Sequence, residues 1–129
     1  MIAVVDTELG VFAVDLETDE VEPWLGSFEA PAAPSLSLPR VVAAAQSAST
    51  VVAVVDAKPP LLVSHDAGAT WRESGRGLSP GVAVAIGDDP DLVVYATPNR
   101  LYVSHDGAMF WNALAVELPR IRAICVSNS

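Results

Sequence analysis

SHDAGATW (Ser64–Trp71) and SHDGAMFW (Ser104–Trp111) are nearly the same eight residues written twice. Ser64, His65, Asp66 and Trp71 recur as Ser104, His105, Asp106 and Trp111, each 40 positions later. The match extends upstream, with LLV at Leu61–Val63 against LYV at Leu101–Val103. A 40-residue period fits a four-stranded propeller blade. β-Branched runs broken by turn residues supply the strands. In the later copy these are GVAVAIG (Gly81–Gly87), LVVYAT (Leu92–Thr97), LYVSH (Leu101–His105) and FWNALAV (Phe110–Val116), strands A to D from the inside of a blade outward. In the earlier copy they are VVAAAQS (Val41–Ser47), TVVAVVD (Thr50–Asp56), LLVSH (Leu61–His65) and TWRES (Thr70–Ser74).

The ends of the chain complete the pattern. IAVVD (Ile2–Asp6), VFAVDL (Val11–Leu16) and EVEPWL (Glu20–Leu25) read as B, C and D of a blade without an A. The C-terminal LPRIRAICVSNS resembles LPRVVAAAQSAS (Leu38–Ser49), and its LPR at Leu118–Arg120 lies 80 positions after Leu38–Arg40. It reads as a strand A with nothing after it. The expectation is an all-β chain, a single domain over 1–129 of three propeller blades with four antiparallel strands each. Blade 1 is residues 1–25 plus a strand A (120–129) from a partner chain, blade 2 is 40–75 and blade 3 is 79–117. Three blades are too few to close a ring, so a homodimer exchanging strand A would close six. A nine-bladed trimer fits the arithmetic but exceeds the usual range of blade numbers. The initiating Met1 and the complementary strand count point away from a fragment of a longer propeller.

SHDAGATW resembles the Asp-box, or BNR repeat, of sialidase-like β-propellers, Ser-x-Asp-x-Gly-x-x-Trp. Ser64, Asp66, Gly68 and Trp71 match every fixed position. Ser104, Asp106 and Trp111 match in the second copy, where Ala108 replaces the Gly and Gly107 sits one place early, which predicts an altered turn. The first blade keeps only Trp24, with a longer turn. The resemblance covers about residues 40–120. It implies that these residues are structural and lie at the blade periphery, away from the ligand face. The residue types agree. A carboxylate and a hydroxyl accept backbone N–H groups in a hairpin turn, Gly permits positive φ, and Trp packs between strands.

Composition narrows the function. The chain has 129 residues and a net charge of −9, which opposes binding to nucleic acid or an anionic membrane surface. The longest apolar runs, such as VVAAA (Val41–Ala45), are far short of a membrane span, and the N-terminus lacks the basic region of a signal peptide. A cytoplasmic location is expected. The single Cys125 excludes an internal disulfide and reads as a small buried hydrophobe. His65 and His105 are two ligands on separate blades, which does not make a metal site. No metal or cofactor is expected.

Propeller topology places D–A and B–C connections on one face, where ligands of the family bind. Arg40, Arg120 and Arg122 start inner strands there, and Lys58 and Arg100 lie in B–C turns on the same face. The opposite face collects Asp15, Glu17, Asp19, Glu20, Asp66, Asp88, Asp89, Asp91 and Asp106. Two-fold symmetry would gather Arg40 and Arg120 into four guanidinium groups suited to a carboxylate, phosphate or sulfate. The plainer reading, that these arginines pair with acids such as Asp56 or Glu117 and order loops, is the favoured one. The longest connection, 26–39, is stiffened by Pro31, Pro34 and Pro39. It reads as a linker across a dimer seam, with a lid or a partner-binding loop as alternatives.

The resemblance also raises a glycosidase or lyase site at the channel mouth. Only Tyr95 and Tyr102 are available as a nucleophile, and LPRIRA (Leu118–Ala123) supplies no Arg-Ile-Pro motif. The favoured expectation is a non-catalytic propeller scaffold that binds a protein partner or a small anion at the channel face.

Overall fold

The computed structural model describes residues 1–29 and 32–127. Pro31 and the last two positions of the C-terminal strand expected over 120–129 lie outside the described residues. Twelve strands form three four-stranded antiparallel sheets, with no helix among the described residues. The strands are β1 (Ile2–Thr7), β2 (Gly10–Asp15), β3 (Val21–Pro23), β4 (Val41–Ser47), β5 (Thr50–Val55) and β6 (Leu61–Ser64). They continue with β7 (Arg72–Ser74), β8 (Ala83–Ile86), β9 (Val93–Ala96), β10 (Leu101–Ser104), β11 (Asn112–Ala113) and β12 (Ile121–Ser127). Sheet 1 has the order β12-β1-β2-β3, sheet 2 is β4-β5-β6-β7 and sheet 3 is β8-β9-β10-β11.

Sheet 3 is the middle layer, and its sequence explains why. Alternate residues of a strand point to opposite faces. Ala83, Ala85, Val94, Ala96, Leu101 and Val103 pack into one cluster with Ala3, Val5, Val14 and Ile124 of sheet 1. Val84, Val93 and Tyr95 pack into another with Val52, Val54, Leu61 and Val63 of sheet 2, and half-buried Tyr102 and Trp111 join it. A strand covered on both faces must be apolar throughout, as VVYA is.

The turns sort by end. Ala67 N–H donates to Ser49 O at 2.9 Å, and Gly107 N–H to Asp91 O at 3.0 Å, so the two SHD turns lie beside the β4–β5 and β8–β9 turns. At the other end, Asp56 N–H donates to Arg40 O at 3.0 Å, Glu8 N–H to Arg120 O at 3.0 Å and Thr97 N–H to Arg100 O at 3.0 Å.

Three expectations change. First, β12 pairs with β1 of its own chain, from Ile2↔Ser127 to Thr7↔Ile121. The chain supplies the missing strand of sheet 1 itself, where the sequence reading gave it to a partner. Connection length is the physical reason. Sheets 2 and 1 flank sheet 3 on opposite faces, so β3 must reach β4 across two sheet spacings. Those are ~20 Å, with three strand spacings of ~14 Å sideways and a detour round sheet 3. Eight extended residues reach at most ~29 Å, too little for that diagonal together with the detour. The connection between sheets 2 and 3 has eight residues (75–82), whereas that between sheets 1 and 2 has 17 (24–40).

Second, Trp24 is not the counterpart of Trp71 and Trp111. Ala13 pairs with Glu22 as Val63 pairs with Arg72, each pair enclosing eight residues. Val21 therefore takes the tryptophan's place, and it packs on the cluster between sheets 1 and 3. The turn of sheet 1 is no longer than the others. Asp15 organises it, its Oδ1 accepting N–H bonds from Glu17 at 2.9 Å and Thr18 at 3.2 Å. In this register Leu61 follows Val11 by 50 positions and Leu101 follows Leu61 by 40. The insertion in the first connection is thus ten residues, where the 47 positions from Trp24 to Trp71, against a period of 40, imply seven.

Third, the terminal strands of sheets 2 and 3 are shorter than the sequence runs. Met109 and Phe110 donate their N–H groups to Asp106 Oδ1 at 3.2 and 3.1 Å, which holds them in the turn.

Candidate functional site

The inner strands β4, β8 and β12 line one side of a groove of about 310 Å³. Its walls are formed by Val42–Gln46 and Val82–Ile86, with Arg122, Ala123 and Ile124, and Ala32 and Ala33 of the long connection also line it. Arg122 is the only charged residue in the lining, and one of its guanidinium nitrogens donates to Thr7 O at 2.8 Å. Arg122 occupies the register shift between β12 and β1.

The other cations expected at the channel face are distributed. Arg40, Arg100, Arg120 and Lys58 all lie toward the end opposite the SHD turns, in the connections β3–β4, β9–β10, β11–β12 and β5–β6. Arg40 is exposed and takes a left-handed conformation, φ 61°, at the start of β4. Arg120 is exposed. Arg100 is engaged in its own sheet, with Nη2 3.1 Å from Glu117 Oε1 and Nη1 3.4 Å from Leu114 O. Glu117, an expected partner for Arg40 or Arg120, is thus paired with Arg100. Lys58, which precedes a cis Pro59, lines a separate recess with Pro59, Pro60, Arg76, Gly77 and Leu78.

The SHD turns are closed hydrogen-bond units. Ser64 Oγ donates to Asp66 Oδ1 at 2.7 Å and accepts from Gly68 N at 2.8 Å. Asp66 Oδ1 accepts from Thr70 N at 2.8 Å, and Thr70 Oγ1 donates to Oδ2. The Thr70 hydroxyl, followed by Ser64, holds the Asp66 carboxyl down at about 2. The second turn repeats this: Ser104 Oγ donates to Asp106 Oδ1 at 2.7 Å and accepts from Ala108 N at 2.9 Å. Asp106 is also held low, mainly by the Phe110 N–H.

The displaced glycine does not alter the turn. Both turns pass through two consecutive positive-φ residues, Ala67 (58°) and Gly68 (93°) in one, Gly107 (70°) and Ala108 (70°) in the other. Each supplies one Gly and one Ala to the same pair of strained positions.

The surroundings of the two turns differ. The Trp111 indole N–H donates to Ser74 Oγ at 3.1 Å, and its ring meets Tyr95 edge-on with centroids 6.0 Å apart. Ser74 Oγ in turn donates to Ala108 O, and Arg72 Nη2 donates to Gly107 O at 3.0 Å. The second turn is thus docked on sheet 2. Trp71 has no sheet against it. With Gly68 it borders a recess of about 220 Å³ shared with Leu36 and Leu38 of the long connection.

His65 is 3.3 Å from Thr50 Oγ1 through Nδ1, His105 is exposed, and no cluster of three metal-ligating side chains occurs among the described residues. Tyr95 is fully buried, its hydroxyl donates to Ser79 O at 2.6 Å, and burial pushes its phenol above its ordinary value. A Cβ on Gly81 would collide with the Tyr95 ring, so that glycine is what lets the ring lie there. Half-buried Tyr102 packs in the same seam. Neither tyrosine lines the groove. Cys125 is half-buried, and burial raises its thiol. Among the described residues no helix is long and apolar enough to cross a membrane.

Comparison of the chain with known families, curated proteins and solved structures finds no match.

Proposed function

We propose that the chain is one half of a six-bladed β-propeller of the Asp-box type, a non-catalytic binding scaffold that a second copy completes. The observation that carries this is the unequal flanking of the three sheets. Sheet 3 has a neighbour on each face; sheets 1 and 2 have one each. By the 40-residue repeat, Ala53, Val55, Leu62 and Trp71 of sheet 2 stand where Val93, Tyr95, Tyr102 and Trp111 of sheet 3 pack on sheet 2. On the far face of sheet 1, Val4, Ala13 and Cys125 stand where Val94, Val103 and Ala85 of sheet 3 pack on sheet 1. The two faces without a sheet are therefore complementary head to tail, and two copies would close a ring. Leu36 and Leu38 of the first connection line a recess with Trp71 on that face of sheet 2, which supports a seam there. Closure by stacking of sheets replaces the exchange of strand A.

The groove along β4, β8 and β12 is then half of a central channel. Its bound species is a small molecule or partner segment bearing an anionic group, met by Arg122 in the groove and by Arg40 and Arg120 at its mouth. Nothing in the groove's lining offers the carboxylate pair or tyrosine nucleophile of a glycosidase, which favours a binding role. The net charge of −9 disfavours nucleic acid and anionic membranes as partners.

Light scattering on a sizing column tests the ring. A species of twice 13.5 kDa that persists on dilution is expected. A folded 13.5 kDa monomer overturns it.

A further inference from the structure

The second SHD turn carries two side chains that its architecture does not require. In the first turn the residues before the tryptophan are Ala69 and Thr70, and the Thr70 hydroxyl is spent on the Asp66 carboxylate. In the second they are Met109 and Phe110. Only their backbone N–H groups serve the turn, and their side chains stand 62% and 73% exposed. The chain has given up a turn-stabilising hydroxyl there for an exposed phenyl ring.

These side chains wall a recess of about 310 Å³ along the seam of sheets 2 and 3, with Arg72, Arg76 and Leu78 opposite. A second recess, of about 400 Å³, shares Arg76 and Leu78 and adds Lys58 and Pro59. Three of the chain's seven cations, Lys58, Arg72 and Arg76, therefore border one groove on a protein of net charge −9. Glu73 is the only acid in either lining. It is 3.8 Å from the Arg76 guanidinium, whose side chain is 85% exposed. The groove runs beside β7, the edge strand of sheet 2. The equivalent positions at the seam of sheets 3 and 1 are closed. There Leu118, the counterpart of Leu78, is buried, Asn99 Nδ2 donates to its carbonyl at 2.9 Å, and Arg100 is paired with Glu117. The open groove is a property of these residues and not of the fold.

We infer that this groove docks an extended, acidic segment of a partner protein along β7. One large apolar side chain enters between Phe110, Met109 and Leu78, and carboxylates on the segment meet Arg76 and Lys58. An edge strand offers unpaired backbone groups to an extended segment, an exposed apolar patch rimmed by charge marks an interaction site, and complementary charge selects the partner. The inference does not depend on how the ring closes.

The test is fluorescence anisotropy with a labelled, acetylated and amidated peptide alternating glutamate and leucine, beside its lysine–leucine counterpart. The expected result is saturable binding of the acidic peptide alone, weaker as salt rises. M109A/F110T restores the residue types of the first turn, so it folds, and it should weaken binding at least tenfold. K58A/R76A should do the same. Absence of binding overturns the inference, as does equal binding by either variant or equal binding of the basic peptide. A change in solution mass for M109A/F110T also overturns it, because the groove would then belong to a contact between copies.

Discussion

Trp111 and Trp71 end the same eight-residue turn, 40 positions apart, yet they do different work. Trp111 is wedged between two sheets, bonded to Ser74 and edge-on to Tyr95. Trp71 faces its own connecting segment across a recess. The internal bonds of the turns match, Ser to Asp at 2.7 Å in both. The repeat therefore fixes local geometry, while the neighbour decides what each repeated side chain contributes. The same holds one layer out, where Leu118 is buried and Leu78 floors an open groove.

The largest expected effect concerns which chain supplies β12. Val4 lies opposite Cys125 in the β1–β12 ladder. Directly opposed antiparallel residues have Cα separations of ~4.5–5.5 Å, within disulfide range. Oxidised V4C should therefore run as a monomer with an internal bridge on a denaturing, non-reducing gel. Cutting the 24–40 connection from 17 residues to the eight of 75–82 should convert it to a covalent dimer, since β3 no longer reaches β4 round sheet 3. A covalent dimer with the full connection would show that the strand is exchanged in the native protein. A monomer with the short connection would break the length argument.

Next is W111A against W71A. Truncating a large aromatic packed in a seam costs about 3 kcal/mol. In a single copy, where only a connecting segment covers it, Trp71 should cost about 1 kcal/mol, near the centre for point substitutions; in the proposed ring its cost should rise to match that of Trp111. Urea unfolding with unchanged m values measures both. Equal losses would mean that sheet 2 has a packed neighbour in solution, as ring closure by a second copy requires, so this pair also reports on the proposed assembly.

Much of the fold was legible in the sequence because it is written as a repeat. The period, the four strands per repeat, the strand-A character of the C-terminus and the two turn-organising Ser–Asp pairs all follow from residues 38–120. In sheet 1 the sequence points to Trp24, because a tryptophan is a strong marker. Register is set by backbone pairing instead, and there Val21 holds the place. The provenance of β12 was not legible, because sequence pattern says which strand is missing but not which chain is near enough to fill it. Strand order implies that the cations of these connections share one end of the sheets, but their partners depend on side-chain reach: Arg100 to Glu117, Arg122 to Thr7. The seam groove is not legible in the sequence because its walls come from Arg76, Leu78 and Met109–Phe110, which no motif links.

The pH dependence separates the turns more finely. Asp66 has its carboxyl lowered from 3.8 to about 2, chiefly by Thr70, a partner that Phe110 cannot replace in the second turn. A carboxyl whose folded value is depressed contributes stability above its unfolded value and loses it as pH falls through the folded one. Stability should therefore decline between about pH 4 and pH 2 on account of Asp66. D66N should flatten that limb in thermal melts across the range. T70A should flatten it in part while leaving stability at the bottom of the range little changed. A limb unaffected by D66N would place the acid sensitivity in the other lowered carboxyls, Asp15 and Asp106.

The smallest effect is the most discriminating, because its sign is at issue. Ala67 and Ala108 both hold left-handed conformations that cost an L-residue about 1 kcal/mol, and glycine relieves them. Glycine also returns part of that gain by loosening the unfolded chain, roughly 0.5–1 kcal/mol. At Ala67 the methyl group is exposed and the Ser49 hydrogen bond is backbone only, so nothing else is lost. A67G should leave the urea midpoint unchanged or raise it slightly. At Ala108 the methyl is fully buried among Val63, Val93 and Tyr95, and removing it costs about 0.8 kcal/mol before any cavity is counted. A108G should lower the midpoint. Identical backbone strain with opposite outcomes would demonstrate that the docked turn and the uncovered turn differ in packing alone. A stabilising A108G would mean that the seam with sheet 2 is looser than its hydrogen bonds through Ser74 and Arg72 indicate.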